Sequence, residues 1–178
     1  MKFQSKLLVL AVLVLVSCWG CQSFSLPTTP SDLPDNRPKP VPASSISIAD
    51  VIFETNDQRR AYGLSPLAEN SNLNAAADFK MRDMFTRQYF DHYAPDGTSR
   101  IPELLIRFDY GYMAAGENLA LGNFKNANDL VALWMASPGH RANILNDAYR
   151  DIGVATGYDV FEGRQTIIAV QIFGTSRQ

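Results

Sequence analysis

Only two histidines occur in the 178-residue chain, and both fall in turn-forming sequence, where a side chain is presented rather than packed. His140 lies in Trp134-Met135-Ala136-Ser137-Pro138-Gly139-His140-Arg141-Ala142-Asn143-Ile144-Leu145, on a sharp turn between two helical stretches. His92 lies in Tyr89-Phe90-Asp91-His92-Tyr93-Ala94-Pro95-Asp96-Gly97. Between them stands Gly116-Glu117-Asn118, a carboxylate flanked by a glycine and an amide. Histidine, glutamate and histidine can ligate a divalent ion or move protons. Taken singly, either histidine is explained as well by a capping or core role, with its imidazole bonded to backbone, and spacing alone does not bring the three together.

The elements that must carry these residues can be read from periodicity. Ser47 and Asp50 form a capping pattern before Ile48, Val51, Ile52 and Thr55, which predicts a helix from about Ile48 to Tyr62. Leu73, Ala76, Ala77, Met81, Met84 and Phe85 mark a second helix, about Ser71 to Gln88, whose end delivers His92 into a Pro-Asp-Gly turn. Ile101, Leu104, Leu105 and Phe108 make a short third helix. From Ala115 to Leu121 the pattern alternates, so Glu117, Leu119 and Leu121 share a face. A carboxylate buried there needs a proton, a cation or donors beside it, because its isolated burial is costly.

Asn126 and Asp129 open a fourth helix with Leu130, Val131, Trp134 and Met135 inward, and Pro138 ends it. Ser137-Pro138 then predicts an N-cap and first-turn proline for a short helix through Leu145. Ile152 to Gly157 and Thr166 to Phe173 are strand-like, with Asp159 to Gly163 closing an antiparallel hairpin. Helices first and adjacent strands last suggest an α+β fold, an antiparallel sheet covered by helices.

Ahead of this region the chain changes character. Lys2 and Lys6 precede an apolar run, Leu7 to Val16, too short to span a bilayer comfortably, which predicts an export signal. Leu15-Val16-Ser17-Cys18 resembles a bacterial lipobox, making Cys18 the expected lipidation site and new N-terminus, with a membrane as partner through the anchor. A disulfide between Cys18 and Cys21 is the plainer alternative, and export permits one. Pro27, Pro30, Pro34, Pro38, Pro40 and Pro42 block regular structure. The expected division is thus a lipoprotein-type signal over 1–18, a tether over 19–45 and one globular domain over 46–178. That domain contains no cysteine. A net charge of −2 without a basic run argues against nucleic acid as a partner.

The order His92, then Gly116-Glu117-Asn118, then Trp134-x-x-Ser137-Pro138-Gly139-His140-Arg141-x-Asn143-Ile144-Leu145 resembles the bacterial branch of the CAP superfamily, which includes cysteine-rich secretory proteins, antigen 5 and pathogenesis-related class 1 proteins. The resemblance runs from about Ile46 to Phe173 and implies a three-layer α-β-α sandwich with a mainly antiparallel sheet. It also implies a central cavity with two histidines and two acids that in several members binds zinc or another divalent ion. His92, Glu117 and His140 match three of those positions; Ser137 stands where the fourth acid would be. Loss of an anionic ligand weakens a site, so Zn2+ or a similar cation is expected to bind no more tightly than micromolar.

A hydrolytic triad of Ser99 or Ser137 with a histidine and Glu117 has little support, because no Gly-x-Ser-x-Gly elbow is present. Arg141, Asn143 and Asn118 are expected to fasten the turn and strand, and Trp134 to pack in the core. Tyr89, Phe90, Tyr93, Tyr110 and Tyr112 either line a groove or close the core. The resulting expectation is an exported, non-enzymatic envelope module that binds a small apolar or extended ligand. The alternative is a metal-assisted hydrolase of peptides or envelope material, with Glu117 and His140 as its catalytic groups.

Overall fold

The computed structural model describes residues 46–97 and 101–177. Cys18, Cys21, the leader and tether, and Ser99 lie outside the described residues. The elements are α1 (Ile48–Ala61), β1 (Ala68–Glu69), α2 (Ser71–Arg87), α3 (Ile101–Arg107), β2 (Tyr112–Gly122), α4 (Ala127–Ala136), α5 (Pro138–Ile144), β3 (Asp151–Phe161) and β4 (Arg164–Ser176).

Local chemistry accounts for most of the boundaries. The Ser47 hydroxyl accepts from the Asp50 N–H at 3.4 Å, and Asn126 does the same for Asp129 at 2.9 Å. Asn70 caps α2 by accepting from the N–H groups of Asn72 and Leu73. Gln88 ends α2 in the left-handed region, and its side-chain amide donates to the Val160 carbonyl while accepting from the Glu162 N–H. The β3–β4 loop is two residues, Glu162 and Gly163, both at positive φ, the geometry that matches the twist of a tight hairpin.

The sheet has strand order β1-β3-β4-β2. β2 and β3 each run antiparallel to β4, as expected, but the two-residue β1 pairs parallel with β3, so the sheet is mixed. β1 has no sequence signature because two residues carry no periodicity.

Alternation along the central strand β4 divides the core into two layers. Ile167, Ala169 and Phe173 pack with Val51 and Ile52 of α1, Leu130 and Trp134 of α4 and Ile144 of α5. Ile168, Val170 and Ile172 pack with Leu73, Ala77 and Met84 of α2 and Leu104 and Leu105 of α3. Burial on both faces makes this strand read as a nearly continuous apolar run. The three-layer α-β-α sandwich is therefore the one that the family resemblance implied.

Since residues 46–178 hold no cysteine, the two apolar layers hold the fold without covalent staples. The unfolding midpoint of the isolated domain is expected to be the same with and without reductant; a difference of several degrees would show that the core has been misjudged.

Candidate functional site

Glu117 sits on β2, an edge strand, on the face that packs toward α2, and its side chain is 3% exposed. His92, in the loop after α2, places Nδ1 2.6 Å from Glu117 Oε2. The structure thus brings together two residues 25 positions apart in the chain. The hydrogen bond raises His92 above the ordinary imidazole pKa, outweighing partial burial. Burial pushes the Glu117 carboxyl up, against the opposing pull of His92 and of the Lys80 charge. With Nδ1 engaged, Nε2 is the ring nitrogen that His92 has left for a ligand.

His140 is carried by α5 on the opposite face of the sheet and reaches the same edge. Burial, then the charge of His92, lowers its pKa. Its Nδ1 is buried without a hydrogen-bond partner, and so is Oε1 of Glu117. Among the described residues, no group of three His, Cys, Asp or Glu side chains is gathered at ion-holding spacing. The donor types and the two unpartnered buried atoms nevertheless fit a cation.

His140 lies within α5 rather than on the sharp turn expected, and a network of amides ties that helix to the strand. Asn118 Nδ2 donates to the His140 carbonyl at 3.1 Å and to Gln171 Oε1 at 3.0 Å. Gln171 in turn donates to Thr55 on α1. Asn143 Nδ2 donates to the Glu117 carbonyl and to Asn118 Oδ1. Three alternate β2 carbonyls, of Ala115, Glu117 and Leu119, accept from Tyr149 Oη, Asn143 Nδ2 and Trp134 Nε1. These donors, from α4, α5 and the loop before β3, occupy carbonyls of the edge strand, which would otherwise invite strand addition. Gly116 is required beside them, since a Cβ there would lie 2.3 Å from Tyr149 Oη.

Asn118, Asn143 and Trp134 therefore act as the sequence indicated. Arg141 does so at longer range, donating to Oη of Tyr62, which caps the C-terminal end of α1. The aromatic residues divide. Tyr110 is buried and donates to Asp151, a core role; Tyr89 donates to Asp83; Phe90 and Tyr93 remain exposed beside His92.

Ser137 departs from expectation. Its backbone begins α5, yet its hydroxyl makes no capping hydrogen bond. The position is consequently open to the missing acid. Ser137→Glu is expected to cost under about 0.5 kcal/mol, since no cap of about 1 kcal/mol is lost, and to strengthen zinc binding about tenfold. Thermal melts and zinc titration check both parts.

Sequence reasoning missed Lys80, Arg59, Gln171 and Tyr149. Lys80 and Arg59 are both fully buried, against the usual habit of charged residues. Arg59 donates to the carbonyls of Ser65, Ile144 and Asn146, tying α1 to the end of α5. The one available signal was that each falls on the apolar stripe of its helix.

The fold and this histidine–carboxylate edge define a class that the comparisons name. The model of the CAP family, the cysteine-rich secretory protein family, matches residues 52–173, and the chain belongs to that family. The protein YkwD of Bacillus subtilis (strain 168) is 40% identical over 104 residues, covering 58% of this chain and 40% of that protein. An extracellular protein containing a SCP domain from Bacillus anthracis str. Ames aligns with a TM-score of 0.62 and 27% identity over 71% of this chain and 39% of that one. An outer surface protein of Borrelia burgdorferi shares the fold, with a TM-score of 0.63 and 21% identity over 75% of this chain and 98% of that one. The chain thus spans about two fifths of the length of both Bacillus proteins.

Proposed function

We propose that this CAP-domain protein is an exported ligand-binding module of the bacterial cell envelope, whose site holds a divalent cation such as Zn2+ through His92, Glu117 and His140. The observation that carries the cation is the pair of buried, unpartnered atoms, Glu117 Oε1 and His140 Nδ1, beside a His92 already oriented by the same carboxylate. Export rests on the signal-like leader and on the extracellular and outer-surface descriptions of structural relatives. When bound, the ion would supply Lewis acidity and a water of lowered pKa.

Titration of the purified domain with zinc tests the site. The expected result is micromolar binding that weakens at least tenfold in both His92→Ala and His140→Ala; binding unaffected by both substitutions would refute it. Hydrolysis of peptides or envelope material is the second reading, favoured by the Glu117 carboxyl, which burial holds above the usual range, toward that of a general base.

Membrane attachment through Cys18 is part of the proposal, supported by the lipobox-like residues before it. Cys18→Ala should move the protein from the membrane fraction to the soluble one. Unchanged fractionation, with no labelled fatty acid taken up by the wild type, would contradict it.

A further inference from the structure

Lys80 is among the largest fully buried side chains of the domain, on the buried stripe of α2. Its ammonium donates to the His92 carbonyl at 3.0 Å and lies 3.4 Å from Tyr89 Oη, with the Tyr89 ring 5.1 Å away. Since His92 Nδ1 meets Glu117 Oε2 at 2.6 Å, a continuous connection runs from Lys80 through His92 to the buried carboxylate. The surroundings give the ammonium a second task. Glu117 has one oxygen without a hydrogen-bond partner and almost no contact with water, a position in which an anion needs a nearby positive charge. Burial lowers the Lys80 ammonium below its usual pKa, and the Glu117 charge pulls against that.

We propose that Lys80 is a positioning residue of the site: it fixes the loop that presents His92 and supplies the resident positive charge that lets Glu117 be buried as an anion. Lys80 is the one charged residue among the buried positions of α2, otherwise Leu73, Ala76, Ala77, Met81 and Met84, and its ammonium donates to the His92 carbonyl. The consequence for ligands rests on the cation reading above. Lys80 holds His92 Nε2 and Glu117 in register before any ion arrives.

The test is a double-mutant cycle of Lys80→Met and Glu117→Gln on the whole domain, read by denaturant unfolding, with the His92 imidazole followed by nitrogen NMR. Lys80→Met alone strands the Glu117 charge and is expected to be strongly destabilising. Adding Glu117→Gln should restore much of the loss, with a coupling of at least tenfold in the unfolding equilibrium constant. If Lys80→Met does not fold, recovery of a folded protein by the double variant is the supporting result, and failure to recover overturns the proposal. Where Lys80→Met folds, its His92 spectrum should lose the signature of a hydrogen-bonded Nδ1, while His140 keeps its own; an unaltered His92 spectrum, or a coupling below twofold, overturns it. Zinc titration of the wild type separates the two ideas, since absence of zinc binding refutes the cation and leaves the coupling to stand.

Discussion

Replacing Gly153 by alanine is expected to destabilise the domain by about 3 kcal/mol, near the upper end of ordinary overpacking. Gly153 lies on β3, where a Cβ would sit 2.2 Å from the Leu73 carbonyl carbon and 2.4 Å from the Asn74 nitrogen. Both are backbone atoms of the first turn of α2, which no rotamer change can move aside. Relief from the glycine's conformational entropy returns only about 0.5–1 kcal/mol, so the steric term wins. The helix must then shift away from the sheet, taking with it the Asn74 side chain that accepts from the Val154 N–H. Because α2 leads directly to the His92 loop, the His92–Glu117 hydrogen bond should loosen in the same variant. Urea unfolding gives the size of the effect, and a loss below about 0.5 kcal/mol would mean that α2 is not seated as described.

The second large effect is the response of zinc binding to pH. An imidazole must be neutral to donate its lone pair. His92 is raised by its bond to Glu117, and His140 is lowered by burial and then by the charge of His92. The two ligands should therefore lose their lone pairs at different pH values, His92 at the higher one. Falling pH first protonates His92, above the ordinary imidazole value of about 6.5, and affinity should drop about tenfold per unit. A steeper fall, about a hundredfold per unit, should begin only below that ordinary value, where His140 also protonates.

The stability of the zinc-free domain should carry the corresponding signs. The raised His92 contributes stability present below about 6.5 and lost as pH rises through its folded value. The lowered His140 favours the neutral ring, so its contribution is lost as pH falls below about 6.5 toward its folded value. A single transition of hundredfold slope in zinc affinity, centred near 6.5, would contradict the separation.

Much of this architecture was legible in the chain because periodicity and punctuation agreed. Ser47, Asn126 and Pro138 marked helix starts, whereas the turn expected over Asp159 to Gly163 is shorter, since β3 stays paired with β4 through Phe161 and only Glu162 and Gly163 lie between the strands. The meeting of His92 with Glu117 was legible only through the order of motifs, since nothing local to either residue points at the other. What stayed hidden depends on tertiary contact. A two-residue strand such as β1 exists because Arg150 and Ile152 offer carbonyls to it. Lys80 and Arg59 look like ordinary helix lysine and arginine until the carbonyls they bind are in place. Ser137 was read as a cap from its type, yet only the backbone performs that job.

X-ray absorption on the zinc-loaded domain tests most directly whether residues from three separate elements serve one ion. Two imidazole nitrogens and at least one carboxylate or water oxygen near about 2.0–2.2 Å are expected, with one imidazole lost in His140→Ala and one in His92→Ala. A shell of oxygens alone, or one unchanged by either substitution, would contradict the account.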